Sequence, residues 1–359
     1  MIEERTGSPA LAQFEAAERA LFERYGFGLQ ARRLAVREPA LAVRVVERGE
    51  GDPLVFVHGG GSTAAEWAPL LAELHDHRCL AVDRPGCGAT DPFDYTGIDL
   101  RRHAVEFLAG LLDGLELERA SFVANSMGGL WSLWLALERP ERVSSLALLG
   151  APAVILGSSA PLPMRLLGVR GLNRLLLRLQ RPSRKQMRGV LERVAGATAL
   201  ERMSPEFVEA SLRAELVPGA ELAGRTLLER VVSLRGARLR LGEDELRRIR
   251  QPVLFVWGDE DAFAGPQVGR RACAVMPDAM LEVLAGGHLP WWDEPRRCAE
   301  LVSSFVRSPE TIAGQRAASV PGPDGPAPAP AHLDAAAGER SRSAHGRRSP
   351  PIEQRGGTP

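Results

Sequence analysis

Ser126 is the residue in this chain best placed for covalent chemistry. It lies in Val123-Ala124-Asn125-Ser126-Met127-Gly128-Gly129, after a short apolar run and before a stretch with helical character. A serine there projects from a sharp strand-to-helix turn, and the residues two positions to either side must be small because strand and helix approach closely. Ala124 stands where the pattern ordinarily has glycine, and alanine is the smallest replacement. So short a stretch would look the same around a serine in an ordinary connecting turn, so its partners carry the reading. A hydroxyl is a poor nucleophile without a base, and the base needs a carboxylate to hold its tautomer. Gly258-Asp259-Glu260-Asp261 follows the apolar run 253–257, and Gly286-Gly287-His288 follows the run 280–284. Both clusters fall at the carboxyl ends of expected strands, where open α/β sheets place their sites.

Acyl transfer also needs backbone N–H donors aimed at a developing negative charge. His58-Gly59-Gly60-Gly61, at another strand end, supplies one side, and the N–H of Met127 supplies the other. No Lys-Ser or Lys-Thr follows the glycines, so a phosphate-binding loop is excluded. Gly86-Cys87-Gly88 is too short for a dinucleotide fingerprint. His75, His77 and Cys79 have period-2 spacing but straddle a loop and a strand start, so they read as a solvated turn with a buried thiol rather than metal ligands. Trp291 and Trp292 follow His288 closely and either wall a pocket or pack in the core. The Arg-rich stretch around Arg181, Arg184, Lys185 and Arg188 reads as solvated helix face, with attraction of an anionic substrate as the sharper option.

The elements that position these residues alternate. Residues 8–25 have helical apolar spacing, and 33–48 suggest two short strands around Pro39. Leu54 to Val57 and Cys79 to Val82 are continuous apolar runs, as expected of strands buried on both faces. Helices are expected over 67–74, 99–114 and 127–138, and strands over 120–124 and 143–149. Strands then disappear between about 153 and 249, where Leu and Arg dominate. The α/β alternation returns with strands at 253–257 and 280–284 and helices at 266–276 and 295–307. This order predicts a doubly wound, mostly parallel α/β sheet interrupted by a helical cap. The expected divisions are an N-terminal helical segment (1–32), a first core part (33–152), the cap (153–249), a second core part (250–307) and a disordered Pro/Ala/Gly/Arg-rich tail (308–359).

Composition removes other classes. The chain has 359 residues, with 45 basic and 45 acidic side chains, so no overall field favours nucleic acid or an anionic membrane. No apolar stretch approaches the ~20 residues needed to span a bilayer. The acidic N-terminus lacks an apolar signal region. Four cysteines make no disulfide framework in a chain of this length, which points to a reduced, cytoplasmic compartment. Oligomeric state is left open.

Together, His58-Gly59-Gly60-Gly61, Asp83-Arg84-Pro85-Gly86-Cys87-Gly88, Asn125-Ser126-Met127-Gly128-Gly129, Trp257-Gly258-Asp259-Glu260-Asp261 and Gly287-His288 resemble the α/β-hydrolase superfamily over about residues 30–307. The resemblance implies Ser126 as nucleophile, His288 as base, Asp261 rather than Asp259 or Glu260 as the acid, and Gly60 with Met127 as oxyanion donors. Gly61, Trp291 and Trp292 are expected at the pocket. The implied two-step acyl transfer needs neither metal nor organic cofactor, and the partner is a small-molecule substrate. A serine at this position argues against epoxide hydrolases and haloalkane dehalogenases of the same fold, which use aspartate.

The first expectation is hydrolysis of a carboxylic ester, thioester or lactone of a small to medium apolar substrate. The alternative is a carbon–carbon hydrolase of the meta-cleavage type, which the Gly-rich loop and Asn125-Ser126-Met127-Gly128-Gly129 also fit. Against it, Gly287-His288-Leu289-Pro290 replaces that group's usual Gly-His-Trp-Ala, and its carboxylate-binding Arg has no clear match in the cap. Cofactor-free haloperoxidase or perhydrolase chemistry would use the same trio. A catalytically silent binding module is the reading from another class, and the intact trio argues against it.

Overall fold

The computed structural model describes residues 7–158, 160–179 and 182–307. The expected tail, 308–359, lies outside the described residues, as do residues 1–6.

An eight-stranded sheet forms the centre, in the spatial order β1-β2-β4-β3-β5-β6-β9-β10. Its strands are β1 (Gln30–Arg37), β2 (Ala40–Arg48), β3 (Asp52–Val57), β4 (His77–Val82), β5 (Ala120–Ala124), β6 (Val143–Leu149), β9 (Val253–Gly258) and β10 (Ala279–Leu284). β2 runs antiparallel to both neighbours, and every pair from β4 to β10 is parallel. The helices are α1 (Pro9–Arg24), α2 (Ala68–Glu73), α3 (Leu100–Gly114), α4 (Ser126–Glu138), α5 (Leu162–Leu167), α6 (Leu172–Leu179), α7 (Arg184–Ala195), α8 (Ala197–Arg202), α9 (Pro205–Leu216), α10 (Ala220–Val231), α11 (Glu243–Leu246), α12 (Pro266–Val275), α13 (Pro290–Asp293) and α14 (Pro295–Arg307).

The continuous apolar runs have a simple cause. Alternate residues of a strand point to opposite faces. Val55 and Val57 of β3 join one core with α3 and α4, while Leu54 and Phe56 join a second core with α1, α2 and α14. With helices on both faces, Leu54 to Val57 are all fully buried. Caps set the helix starts: Ser8 accepts from the Leu11 amide before α1, Asp99 from Arg102 before α3, and Ser204 from Phe207 before α9.

Between β6 and β9 the chain is mainly helical (α5 to α11). It also forms a two-residue hairpin, β7 (Val232–Ser233) against β8 (Gly236–Ala237), and a single bridge from Ile155 to Leu241. The expectation that strands vanish here therefore needs correction. Pieces of two residues carry no period that a sequence pattern can reveal. The insertion joins both cores: α10 packs into the first through Ala223, Leu227 and Val231, and α7 and α9 into the second through Met187, Leu191 and Phe207.

Candidate active site

Each candidate residue lies just past the carboxyl end of a parallel strand. Asn125 and Ser126 follow β5, the His58 loop follows β3, Asp261 follows β9, and His288 follows β10.

Ser126 has φ of +48°, a left-handed conformation that a non-glycine side chain rarely adopts. Such a residue costs on the order of 1–3 kcal/mol and persists only where its surroundings dictate it. Here the Asn125 amide donates to the Val57 carbonyl at 3.1 Å, and the Ala153 amide donates to the Ser126 carbonyl at 2.9 Å. The Asn125 side chain donates to the carbonyls of Leu149 at 2.7 Å and His288 at 3.2 Å. One buried amide thus ties the serine turn to β6 and to the histidine loop. Gly128 must be glycine, because a Cβ there would stand 2.0 Å from the Val57 carbonyl oxygen. Ala124 is fully buried, and its methyl is accommodated.

His288 and Asp261 are paired. The imidazole Nδ1 lies 2.7 Å from Asp261 Oδ2, and both side chains are buried. A carboxylate accepts here, so Nδ1 carries the proton and Nε2 is left as a base. Nε2 is buried and has no hydrogen-bond partner among the described residues. Asp261 Oδ2 also accepts from the Ala151 amide at 2.9 Å, and Oδ1 from the Phe263 amide at 2.9 Å. Burial raises the pKa of Asp261, but the neighbouring His288 and these hydrogen bonds outweigh it and hold the carboxyl below its ordinary value. The Phe263 ring lies 4.4 Å from the imidazole, centroid to centroid, and covers it.

The glycine loop is gripped from inside. Arg84 is fully buried; its Nε donates to the His58 carbonyl at 3.1 Å and its guanidinium to the Gly59 carbonyl at 2.6 Å. Trp131 lies under the guanidinium, 4.9 Å from its ring centroid. The Gly59 amide donates to Glu66 Oε1 at 3.1 Å. Gly59 therefore has both backbone groups committed, whereas Gly60 and Gly61 lie exposed at the tip, Gly61 with φ of +70°. A Cβ on Gly59 would stand 2.5 Å from Asn125 Oδ1 and 3.4 Å from Ser126 Cβ, which shows how tightly this loop abuts the serine. His58 itself is not a base. Burial, and then the charge of Arg84, push it well below its ordinary value, and its Nε2 accepts from the Arg84 amide at 3.0 Å. Met127 occupies the first turn of α4, where amides have no partner within the helix.

Trp291 and Trp292 do not face an open pocket as expected. Both are buried, and both indole N–H groups donate to the Glu66 carbonyl, at 2.7 and 3.1 Å. Trp291 stacks on Trp67 with centroids 4.3 Å apart, and Trp292 packs on Phe207. Burying two large rings behind the loop is worth more than exposing them at a pocket wall.

Three contributors were given no role by the sequence reading. Arg84 and Glu66 stand behind the glycine loop, and the single carboxylate in Ala64-Ala65-Glu66-Trp67-Ala68 is the signal that marks Glu66. The third is the end of α7: the Val194 carbonyl accepts from the His288 amide at 3.2 Å. A Cβ on Gly287 would stand 2.2 Å from the Ala195 carbonyl oxygen. That contact is backbone to backbone across the fold, so no residue pattern announces it.

A parallel sheet flanked by helices, a serine on a strained strand-to-helix turn and a buried His–Asp pair at neighbouring strand ends define a class of hydrolase scaffold. The family model described as the alpha/beta hydrolase family matches residues 54–301, and the chain belongs to that family. It is 32% identical over 277 residues to a 2-hydroxy-6-oxononadienedioate/2-hydroxy-6-oxononatrienedioate hydrolase of Burkholderia vietnamiensis, covering 74% of this chain and 91% of that one. It is 29% identical to a 2-hydroxy-6-oxo-6-phenylhexa-2,4-dienoate hydrolase of Burkholderia cepacia, again over 74% and 91%. Among solved structures it is similar to the carboxylesterase CesB of Bacillus subtilis (TM-score 0.66, 21% identity, 83% of this chain and 99% of that one). The meta-cleavage product hydrolase CumD of Pseudomonas fluorescens is similar too (TM-score 0.63, 22% identity, 78% and 98%). The chain is a hydrolase. No helix among the described residues is long and apolar enough to cross a membrane.

Proposed function

We propose that Ser126, His288 and Asp261 work as nucleophile, base and orienting carboxylate, with the amides of Gly60 and Met127 as oxyanion donors. The observation that carries this reading is the buried His288–Asp261 pair, whose unpartnered Nε2 belongs to a loop tied by Asn125 to the strained Ser126 turn. Asp261 holds the imidazole in the tautomer that leaves Nε2 free to take the serine proton. Gly59 has already spent its amide on Glu66, so Gly60 is the next donor along the loop. Residues 153–249 serve as the cap over this site.

The bond we assign is a carbon–carbon bond next to a ketone, in a 2-hydroxy-6-oxo-dienoate. The relatives at about 30% identity over nine-tenths of their length, named as hydrolases of such compounds, support that alternative over the ester expectation. Ser126 would add to the ketone carbon, and the oxyanion would form against Gly60 and Met127. Collapse would break the carbon–carbon bond, with His288 returning its proton to the departing carbon. A water deprotonated by His288 would then release the acyl group. A carboxylic ester remains the second reading, favoured by Leu289 in the place where the carbon–carbon group has tryptophan.

The test is a pair of substrates. Wild-type protein should bleach a 2-hydroxy-6-oxo-dienoate chromophore with a kcat/KM above that for a p-nitrophenyl ester. Ser126→Ala should lower kcat on the better substrate by at least ~10³-fold and lose the covalent adduct that wild type forms with a fluorophosphonate. A faster ester reaction would transfer the assignment to the second reading. An adduct that persists in Ser126→Ala would remove Ser126 from the mechanism.

A further inference from the structure

The zero net charge of the chain conceals a local excess. Between Glu141 and Glu192 the sequence holds no Asp or Glu but eight arginines and one lysine. Within that stretch, α6 is built inside out. Its buried side chain is Asn173, which donates to Glu229 Oε1 at 2.7 Å, whereas Leu175 and Leu179 are 55% and 73% exposed. Leu162, at the start of α5, is 62% exposed. Leu234 of the β7–β8 turn, 51% exposed, is joined to α5 because its carbonyl accepts from Arg165. Four of the six large apolar side chains exposed among the described residues thus come from α5, α6 and the turn bonded to them.

Leu175 and Leu179 are one helical turn apart, as are Arg174 and Arg178, so they form two adjacent stripes on α6. Arg170, Arg174 and Arg178 are exposed and make no ion pair among the described residues. Leucines flanked by unpaired, long cationic side chains are the arrangement of a helix lying in a membrane interface: the leucines enter the acyl boundary while the guanidinium groups stay at the headgroups. We propose that α5 and α6 form a docking surface for an anionic phospholipid bilayer. Charge decides the occupant. A second copy of the chain meeting this face two-fold would set arginine against arginine, and a nucleic acid would leave the leucines in water.

The test uses the full chain with vesicles of equimolar phosphatidylglycerol and phosphatidylcholine, and with pure phosphatidylcholine vesicles. At low salt the protein should sediment with the mixed vesicles only, and high salt should release it. Arg174→Gln and Arg178→Gln should each weaken partitioning about five-fold. Leu175→Asp combined with Leu179→Asp should abolish it with an unchanged thermal midpoint, because both leucines already face water. Absence from the mixed-vesicle pellet would overturn the proposal, as would equal binding to both vesicle types or wild-type binding by the leucine variant. So would a wild-type dimer that the leucine variant dissolves without any vesicle binding.

Discussion

Glu66 shows how one buried side chain links the glycine loop to pH. Burial pushes it up to about 7, against hydrogen bonds from Ser62 and Gly59 and the nearby charges of Arg84 and His288. The folded protein holds this proton more tightly than the unfolded chain, in which glutamate has its ordinary value of 4.5. Its stabilising contribution is complete below that ordinary value and is lost as pH rises through about 7. Glu66→Gln keeps an acceptor for the Gly59 amide and removes the titration. From pH 5 to 8 the wild type should lose on the order of 2–3 kcal/mol relative to this variant, read as a pH-dependent change in the difference between their urea midpoints. Parallel pH profiles for the two proteins would show that Glu66 does not titrate in this range. At the same scale, Asp261→Asn should lower kcat by about 10⁴-fold through the wrong imidazole tautomer, measured on the substrate that Ser126→Ala abolishes.

At the scale of elements, close approach rather than chain flexibility explains the decisive glycine. Gly128 lets α4 start against β3, and Gly128→Ala would drive a methyl into the Val57 carbonyl. This variant should unfold at a markedly lower temperature, by several kcal/mol of stability, since neither backbone can give way. Gly224, in α10, has nothing within 4 Å of its missing Cβ. Gly224→Ala should leave stability unchanged or raise it by up to about 1 kcal/mol, because alanine is the better helix former. Thermal unfolding of the pair separates a packing requirement from a propensity. The packing of α13 is of the same kind: Trp291 and Trp292 lock onto the Glu66 carbonyl and so join the segment after His288 to the one after the glycine loop.

For the molecule as a whole, the segment ahead of the family match at residue 54 is part of the fold. α1 lies against α9 of the insertion, and its Glu18 reaches Arg44 on β2. Arg44 also pairs with Asp83 at 3.1 Å, and Asp83 accepts from the Ala64 amide at 2.8 Å, just beyond the glycine loop. One buried guanidinium thus serves two buried carboxylates. Burial lifts Glu18 to about 7, while Arg44, flanked by both anions, is held firmly protonated. Arg44→Met leaves both carboxylates without a cation and should cost about 3–5 kcal/mol. Adding Glu18→Leu should recover part of that loss, because the double variant buries one uncompensated carboxylate fewer. A thermal double-mutant cycle measures the recovery, and strict additivity would show that the two side chains are not coupled.

The turn at Ser126, the strand ends before Asp261 and His288, the alternation of strands and helices, and the helical insertion were legible in the sequence because each rests on local facts, while the choice of Asp261 over Asp259 and Glu260 came from the family resemblance. A buried parallel strand is a short apolar run, and a strand-to-helix turn of this tightness demands small residues around its serine. The net charge was legible too, but a sum carries no position, so the basic, leucine-bearing face of α5 and α6 emerged only once Asn173 was seen to point inward. Tertiary structure alone decided that Arg84 and Glu66 grip Gly59, that Trp291 and Trp292 pack rather than wall a pocket, and that α7 reaches the His288 backbone. The physical reason is common to all of them. Most of these contacts join segments tens to hundreds of residues apart, and each runs through a backbone carbonyl or amide, which every residue carries alike.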